Sequence, residues 1–188
     1  SVLLPVYARD DAGAFLRSFR SVTVEQTRRP DDVVIMVDGP VGPELDAALE
    51  QVANFEQVPT LVHRLSVNGG LGPALDTGLT LCRHEIVARQ DADDVSFAER
   101  FARQLPLIEQ GADVVGSALV EFESSPDDLG DLRIPPLSRT EIELSARWKQ
   151  PVNHPTVVYR RSAVQAVGGY GDLRLLEDYW LFARMIHA

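Results

Sequence analysis

Three carboxylates lie within four residues of one another, directly after a short apolar run. Asp91, Asp93 and Asp94 follow residues 86–88, a run that is typical of a buried strand. In open α/β sheets, ligands bind at the carboxyl ends of the strands. Neighbouring carboxylates repel one another unless a cation joins them, and their oxygens suit Mg²⁺ or Mn²⁺ with a phosphate-bearing ligand. One interpretation is therefore a metal site, and the other is a solvated acidic turn in which Asp94 caps the next helix.

A glycine-rich turn precedes this acidic strand. Residues 68–78 contain four glycines and lead into a predicted helix. Glycine permits tight turns and a close approach of the backbone to a ligand. The spacing fits neither the G-x-G-x-x-G pattern nor the Walker A pattern with its lysine. A turn that packs against a nucleotide and a plain turn before a helix both fit these residues.

Apolar strands and amphipathic helices alternate through most of the chain. Each of the first four apolar runs of strand length is followed by apolar residues at helical spacing. This alternation predicts an α/β fold in which helices flank a layered sheet. The predicted strands of this alternation cover residues 2–7, 33–37, 61–65, 86–88 and 114–120.

Capping residues predict where several helices begin. Pro43 is predicted to begin the second helix, since proline suits the first helical turn. The capping boxes at Ser96–Glu99 and Ser138–Glu141 predict the starts of two later helices. Between them, the polar, proline-bearing segment 124–136 is predicted to be a loop.

Charge and composition limit the classes of function. The chain has 188 residues, which fits one domain, and a net charge of −10. This charge argues against nucleic acid as a partner, because a phosphate backbone requires a basic surface. The single cysteine, Cys82, excludes internal disulfides, and we expect a core position for it and a cytoplasmic location for the protein. No apolar run approaches the roughly 18 residues of a membrane span.

Five blocks of the sequence, taken in order, resemble the family 2 inverting glycosyltransferases of the GT-A fold. The resemblance covers nearly the whole chain and implies a mixed, mostly parallel central sheet flanked by helices. It implies one GT-A catalytic domain over residues 1–188, with a nucleotide-binding half at 1–95, an acceptor-binding half at 96–188 and further chain beyond Ala188. The blocks are Leu3–Tyr7, Val37–Gly39, Asn68–Gly78, Ala88–Asp94, and a last block that joins Asn153–Pro155, Gly168–Tyr170 and Glu177–Tyr179.

The resemblance implies a nucleotide-sugar site in the first half of the chain. Asp38 would accept a hydrogen bond from the uracil ring, and it would suit thymine equally well. Asp93 would coordinate Mn²⁺ or Mg²⁺ bridged to both phosphates, and Asp91 would contact the ribose or the water shell of the metal. The donor-site residues implied in this way are Pro5, Val6, Tyr7, Asp38, Asn68, Gly69 and Asp91.

The resemblance places the acceptor site in the second half. Asp178 matches the family position of the base that takes the proton of the acceptor hydroxyl. Glu177 would hold the pocket or bond the acceptor, and His154 would form part of the pocket wall. Trp148 and Tyr170 suit stacking on a sugar face, and packing in the core or a loop suits them equally well. We expect Asp178 and Asp93 to lie on opposite sides of one cleft.

The implied enzyme is inverting and metal-dependent. It would move a sugar from a UDP-sugar or dTDP-sugar to a saccharide, lipid-linked or protein-linked acceptor in glycan or cell-envelope polysaccharide synthesis. A longer chain of this kind would be able to associate with the inner face of the membrane. Two alternatives stay open. The first is a nucleotidyltransferase, which is disfavoured because residues 10 and 11 are acidic where that class carries Arg and Lys. The second is a domain that binds nucleotide-sugars without catalysis.

Overall fold

A mixed six-stranded sheet forms the centre of the computed structural model, which describes residues 1–123, 125–173 and 175–188. The strands of these residues are β1 (Val2–Tyr7), β2 (Val33–Asp38), β3 (Thr60–Arg64), β4 (Ile86–Arg89), β5 (Val114–Val115), β6 (Leu119–Phe122), β7 (Leu129–Arg133) and β8 (Val158–Arg160). The sheet order is β3-β2-β1-β4-β8-β5. Strands β1 to β4 are parallel, and β8 is antiparallel to both β4 and β5.

Helices cover both faces of this sheet. They are α1 (Ala12–Val22), α2 (Pro43–Ala53), α3 (Leu71–Leu81), α4 (Arg100–Glu109), α5 (Arg139–Ser145), α6 (Arg161–Ala166) and α7 (Glu177–His187), with a 3₁₀ helix at His154–Thr156. The side chains of α1, α2 and α4 share one core with one face of the sheet, while α3, α6 and α7 share the other. Strand β2 is buried along its whole length because both of its faces are covered. The predicted α/β architecture is confirmed.

Most of the local predictions for the first half are confirmed. Pro43 begins α2, and Cys82 is buried in the core at the end of α3. The second capping box is also present, since the Ser138 side chain accepts from the backbone N–H of Glu141 and the Glu141 side chain accepts from the N–H of Ser138. No helix of the described ranges is both long enough and apolar enough to cross a membrane.

The first predicted capping box is wrong. Helix α4 begins at Arg100 rather than near Ser96, and neither Ser96 nor Asp94 caps it. The Ser96 hydroxyl instead donates to Gln90 Oε1 at 2.8 Å, and Arg100 donates to the same oxygen at 2.7 Å. Gln90 is buried, so its carbonyl oxygen competes successfully with the helix terminus for the Ser96 hydroxyl.

The second half departs from the predicted strand at 114–120 and the predicted loop at 124–136. The predicted strand divides into β5, which lies in the central sheet, and β6, which pairs with β7 in a separate hairpin. Strand β7 lies inside the predicted loop, of which Ser124 is outside the described residues. Every residue of β7 is exposed, and a strand without a buried face shows no alternation of apolar residues in its sequence.

Candidate active site

A cleft of about 500 Å³ opens at the carboxyl ends of β1, β2 and β4. Parallel strands bring their carboxyl ends to the same edge of the sheet, which places the residues after each strand side by side. Six of the seven predicted donor-site residues line this cleft, together with Asp93. The lining consists of Pro5, Val6, Tyr7, Asp10, Asp38, Asn68, Gly70, Leu71, Ala74, Asp91, Ala92 and Asp93.

Asp38 is the residue that holds the glycine-rich turn against the sheet. Its Oδ1 accepts from the backbone N–H of Gly69 at 2.7 Å, and its Oδ2 accepts from the N–H of Gly70 at 2.9 Å. The Asn68 side chain donates to the Asp38 carbonyl at 3.1 Å. Gly39 permits this approach, since a Cβ there would come within 2.7 Å of the Asn68 nitrogen. Each carboxylate oxygen keeps a second acceptor position, so Asp38 can still accept a hydrogen bond from a ligand.

Replacement of Asp38 by Ala is expected to lower both stability and affinity for uridine nucleotides. The backbone N–H groups of Gly69, which is exposed, and Gly70, which is half-buried, would lose their acceptor, and a hydrogen bond typically contributes roughly 0.5–1.5 kcal/mol. Calorimetric titration with UDP and with ADP checks the base preference, and urea unfolding checks stability. Asp46→Ala is the matched control, because Asp46 forms only a half-exposed ion pair with Arg64. An equal loss of affinity for UDP and ADP would contradict a role in base recognition.

Asp10 adds a further carboxylate to the acidic end of the cleft, and the sequence did not single it out as a site residue. Burial raises the pKa of Asp10 to about 6, although the bond from the Tyr7 N–H opposes this, and the charges of Asp93 and Asp91 raise it further. Burial likewise raises the pKa of Asp94 to about 6, with Asp91 and Asp93 adding to the effect. Asp10, Asp91 and Asp93 thus bring three carboxylates to one end of the cleft, with Asp94 close behind them.

Two arginines lie behind these carboxylates, of which Arg89 is buried and Arg100 half-buried. Arg89 forms an ion pair with Asp91 through its Nη1, while its Nε has no hydrogen-bond partner in the described residues. Burial lowers the pKa of Arg89, but the opposing charge and hydrogen bond of Asp91 outweigh it and leave a net rise. Arg100 donates to the Arg89 carbonyl at 2.7 Å, and burial beside Arg89 lowers the pKa of Arg100 to about 9. Asp91 is thus held by a protein cation, whereas Asp93 has no ion-pair partner among the residues described.

Asp178 and Glu177 begin helix α7, beside the start of α3. This approach depends on Gly72, where a Cβ would lie 2.5 Å from the carbonyl oxygen of Gly171 and 3.5 Å from Glu177 Cβ. Gln150 donates to Asp178 Oδ2 at 2.7 Å. Burial raises the pKa of Glu177, with the charge of Asp178 acting in the same direction. Asp178 is not one of the residues that line the cleft, and its place opposite Asp93 stays a prediction.

His154 and Trp148, the other predicted acceptor-side residues, have opposite surroundings. His154 is buried, and its Nε2 lies 3.0 Å from the Tyr170 hydroxyl. Burial, with the Arg89 charge adding to it, lowers the pKa of His154 well below its ordinary value. Trp148 is 88% exposed in the turn after α5. Sequence reasoning missed Gln150, which contacts Asp178 across 28 residues of chain and has no local pattern that would reveal it.

Comparison with known protein families decides the class of this site. The model of Glycosyl transferase family 2 matches residues 1–168. The chain belongs to this family. Family 2 membership agrees with the resemblance and identifies a glycosyltransferase, which disfavours the alternative of a nucleotidyltransferase.

Two relatives show how far the likeness extends. The amylovoran biosynthesis glycosyltransferase AmsE of Erwinia amylovora is 37% identical over 190 residues, which cover 99% of this chain and 69% of that protein. The UDP-Gal:alpha-D-GlcNAc-diphosphoundecaprenol beta-1,3-galactosyltransferase of Escherichia coli is 34% identical over 188 residues, which cover 99% of this chain and 67% of that protein. The family 2 chain described here thus spans about two thirds of these relatives.

Solved structures agree with the fold. TarS 1–349 of S. aureus in complex with UDP-GlcNAc matches with a TM-score of 0.72 and 18% identity, over 98% of this chain and 52% of that one. The mannosyltransferase PcManGT of Pyrobaculum calidifontis, in complex with GDP-Man and Mn²⁺, matches with a TM-score of 0.69 and 19% identity, over 98% of this chain and 50% of that one. The family 2 chain has the GT-A fold and spans about half the length of these solved chains.

Proposed function

We propose that this domain is the catalytic part of an inverting, metal-dependent glycosyltransferase that uses a UDP-sugar. The acceptor would be a saccharide or a lipid-linked glycan of a cell-envelope polysaccharide. The observation that carries this proposal is the cleft, because it gathers Asp38, the glycine-rich turn, Asp91 and Asp93 at one edge of the sheet. The names of the relatives from E. coli and E. amylovora, a galactosyltransferase that uses UDP-Gal and an enzyme of amylovoran biosynthesis, support the donor and the pathway class.

The nucleotide would bind against the end of β1 and the glycine-rich turn. Pro5, Val6 and Tyr7 line the cleft, as do Asn68 and Asp38, and Tyr7 lies directly beside Asp38 in the register of β1 and β2. Asp38 would accept from the ring N–H of uracil, since its oxygens keep acceptor positions that the backbone does not occupy.

The residues at the end of β4 fit a divalent metal that is shared with the diphosphate. Among the described residues, no group of three or more His, Cys, Asp and Glu side chains could hold a metal ion alone. By the family resemblance, Asp93 would be a direct ligand and Asp91 would assist it. Burial is the main cause of the raised pKa values of Asp10 and Asp94, the charges of Asp91 and Asp93 add to it, and a cation would offset this added repulsion. When bound, Mn²⁺ or Mg²⁺ would neutralise the charge that builds on the departing diphosphate.

Asp178 would act as the general base. In an inverting transfer, the acceptor hydroxyl attacks the anomeric carbon from the face opposite the diphosphate. As the new carbon–oxygen bond forms, the bond to the phosphate oxygen breaks, and the hydroxyl proton passes to the carboxylate. The position of Asp178 beside the start of α3, whose first turn lines the cleft, supports this role.

A thermal-shift panel tests the donor site. UDP, dTDP, GDP and ADP are each added with and without Mn²⁺ to the wild type and to Asp93→Ala. A nucleotide at about a hundred times its dissociation constant adds roughly 2.7 kcal/mol, which shifts the midpoint by about 5–10 °C in a domain of this size. We expect a Mn²⁺-dependent shift with UDP that Asp93→Ala loses.

The matched control is Asp128→Ala. This variant removes an exposed carboxylate just before β7 that is not among the residues lining the cleft. This variant should keep the full shift. A larger shift with GDP than with UDP would overturn the proposed donor class. Absence of a shift with every nucleotide would favour the alternative of a domain without a working donor site.

A further inference from the structure

The strand order puts one further carboxylate between the two ends of the proposed nucleotide site. Strand β1 lies between β2, which ends at Asp38, and β4, which leads into Asp91 and Asp93. Tyr7, the last residue of β1, is the register partner of Asp38. Asp10 follows Tyr7 by three residues and lines the same cleft. Asp10 therefore lies just beyond the central one of three adjacent strands.

A tight turn fixes Asp10 in this place. Its Oδ2 accepts from the Tyr7 N–H at 2.8 Å, while its own backbone N–H donates to the Tyr7 carbonyl at 3.1 Å. The next residue, Asp11, is the N-cap of α1, since its side chain accepts from the N–H of Ala14 at 2.8 Å. The turn is therefore held on one side by the end of β1 and on the other by the start of α1.

The Asp10 carboxylate still has acceptor positions to offer to a ligand. Among the described residues, the Tyr7 N–H is its one hydrogen-bond donor, and no ion pair holds it. An ionised carboxylate has roughly four acceptor positions, of which this bond occupies one. Partial burial raises the pKa of Asp10 to about 6, because its ionised form has lost water without gaining enough donors. A ligand with hydroxyl groups would supply these donors.

The other carboxylates of the cleft already have partners or a proposed role. Asp38 accepts from two backbone N–H groups of the glycine-rich turn. Asp91 forms an ion pair with Arg89, and Asp93 is the proposed ligand of the metal. Asp10 is thus the carboxylate of the cleft to which neither the protein nor the proposed metal gives a partner of opposite charge.

We propose that Asp10 binds the ribose of the donor nucleotide and accepts from its 2′- and 3′-hydroxyl groups. This inference rests on the proposed donor site. Ribose joins the base to the diphosphate, so with uracil at Asp38 and the diphosphate at Asp93 it would pass the end of the strand between them. The two hydroxyls lie on one edge of the ring and suit the free acceptor positions of a carboxylate. Dinucleotide-binding folds use an acidic residue for a ribose hydroxyl in the same way.

This role would give the enzyme a preference for ribonucleotides. Asp38 would accept from uracil and thymine equally well, so the base alone does not distinguish UDP from dTDP. The deoxyribose of dTDP lacks the 2′-hydroxyl, so Asp10 would lose one donor with that nucleotide. Of the two roles that the family resemblance allows Asp91, the water shell of the metal would then remain.

Calorimetric titration with UDP, 2′-deoxy-UDP and 3′-deoxy-UDP, each with Mn²⁺, tests this role. The three nucleotides carry the same charge, so the ratio of their dissociation constants cancels the general repulsion between Asp10 and the diphosphate. The buffer is held at about pH 7.5, above the raised pKa of about 6, so that Asp10 is ionised. We expect the wild type to bind the deoxy analogues about tenfold more weakly than UDP, because each loses a hydrogen bond to a charged acceptor.

The variants of Asp10 should remove this difference between the nucleotides. Asp10→Ala should bind all three with similar affinity. Asp10→Asn keeps an oxygen for the Tyr7 N–H, so the turn is preserved, and its neutral side chain should leave a difference of about threefold. Asp11→Ala is the matched control and should keep the wild-type ratios, since it removes the adjacent exposed carboxylate, which is not among the residues lining the cleft.

Two results would overturn the role of Asp10. Equal affinity of the wild type for the three nucleotides would show that the ribose hydroxyls are not bound. Wild-type ratios in both Asp10 variants would assign the hydroxyls to another group. In either case, Mn²⁺-dependent binding of UDP would leave the proposed donor site standing. If the wild type binds none of the three, the donor site itself fails, and the role of Asp10 fails with it.

Discussion

Asp178→Asn is expected to reduce transfer by at least about a hundredfold while nucleotide binding stays at the wild-type level. General base catalysis contributes roughly 10²–10⁴ in rate, and an amide cannot accept the proton of the acceptor hydroxyl. The substitution keeps the size of the side chain, and its carbonyl oxygen can still accept from Gln150, whose bond to Oδ2 is 2.7 Å. Because Asp178 does not line the donor cleft, UDP should bind with unchanged affinity.

Glu177→Gln is the matched control for this experiment, because Glu177 is the adjacent carboxylate in the same helical turn. With saturating acceptor it should retain the rate of the chemical step, because the predicted role of Glu177 is to hold the pocket or bind the acceptor. Single-turnover assays with saturating donor separate the chemical step from binding, and UDP titration measures the donor site alone. Activity of Asp178→Asn above a tenth of the wild-type rate would refute the base assignment, and loss of UDP affinity in this variant would place Asp178 in the donor site.

The fold could be predicted where residues are buried on both faces of the sheet. Strands β1, β2 and β4 are short apolar runs because helices cover them on both sides, and that burial is visible in the sequence. Strand β7 is exposed on both faces. It is held by backbone pairing with β6 rather than by burial in a core, so its sequence carries no pattern of apolar residues. Ser96 shows the other limit, since the capping pattern was present but the buried Gln90 oxygen took its hydroxyl.

The gathering of residues at the cleft could be predicted more fully than the contacts around Asp178, for a physical reason. Parallel strands place their carboxyl ends together, so residues that follow β1, β2 and β4 had to meet. The contacts around Asp178 come from loops that no repeating pattern positions. Gln150 meets Asp178 across 28 residues, and Asp76 meets Tyr170 across 94, which only the packed structure reveals.

Asp91→Asn is expected to lower the free energy of unfolding by about 3 kcal/mol, and Asp93→Asn by less than about 1 kcal/mol. Loss of Asp91 leaves the fully buried charge of Arg89 without its ion-pair partner, and breaking such a pair typically costs about 3–5 kcal/mol. The lower end applies because the Asp91 side chain is 34% exposed and partly screened by water. Asp93 is the matched control, since it lies in the same turn without an ion-pair partner among the described residues.

The double variant Arg89→Met with Asp91→Asn distinguishes a buried charge from a general disturbance of the turn. A well-packed apolar side chain in place of a buried ion pair is often neutral for stability, so the double variant should recover most of what Asp91→Asn loses. Urea unfolding of the wild type, of Arg89→Met, of Asp91→Asn and of the double variant measures the coupling free energy between the two side chains. Equal losses for the Asp91 and Asp93 variants, or losses that simply add in the double variant, would show that the Arg89 charge is not what Asp91 compensates. If the double variant recovers stability but not Mn²⁺-dependent UDP binding, Asp91 has a role in the donor site that is separate from its role in stability.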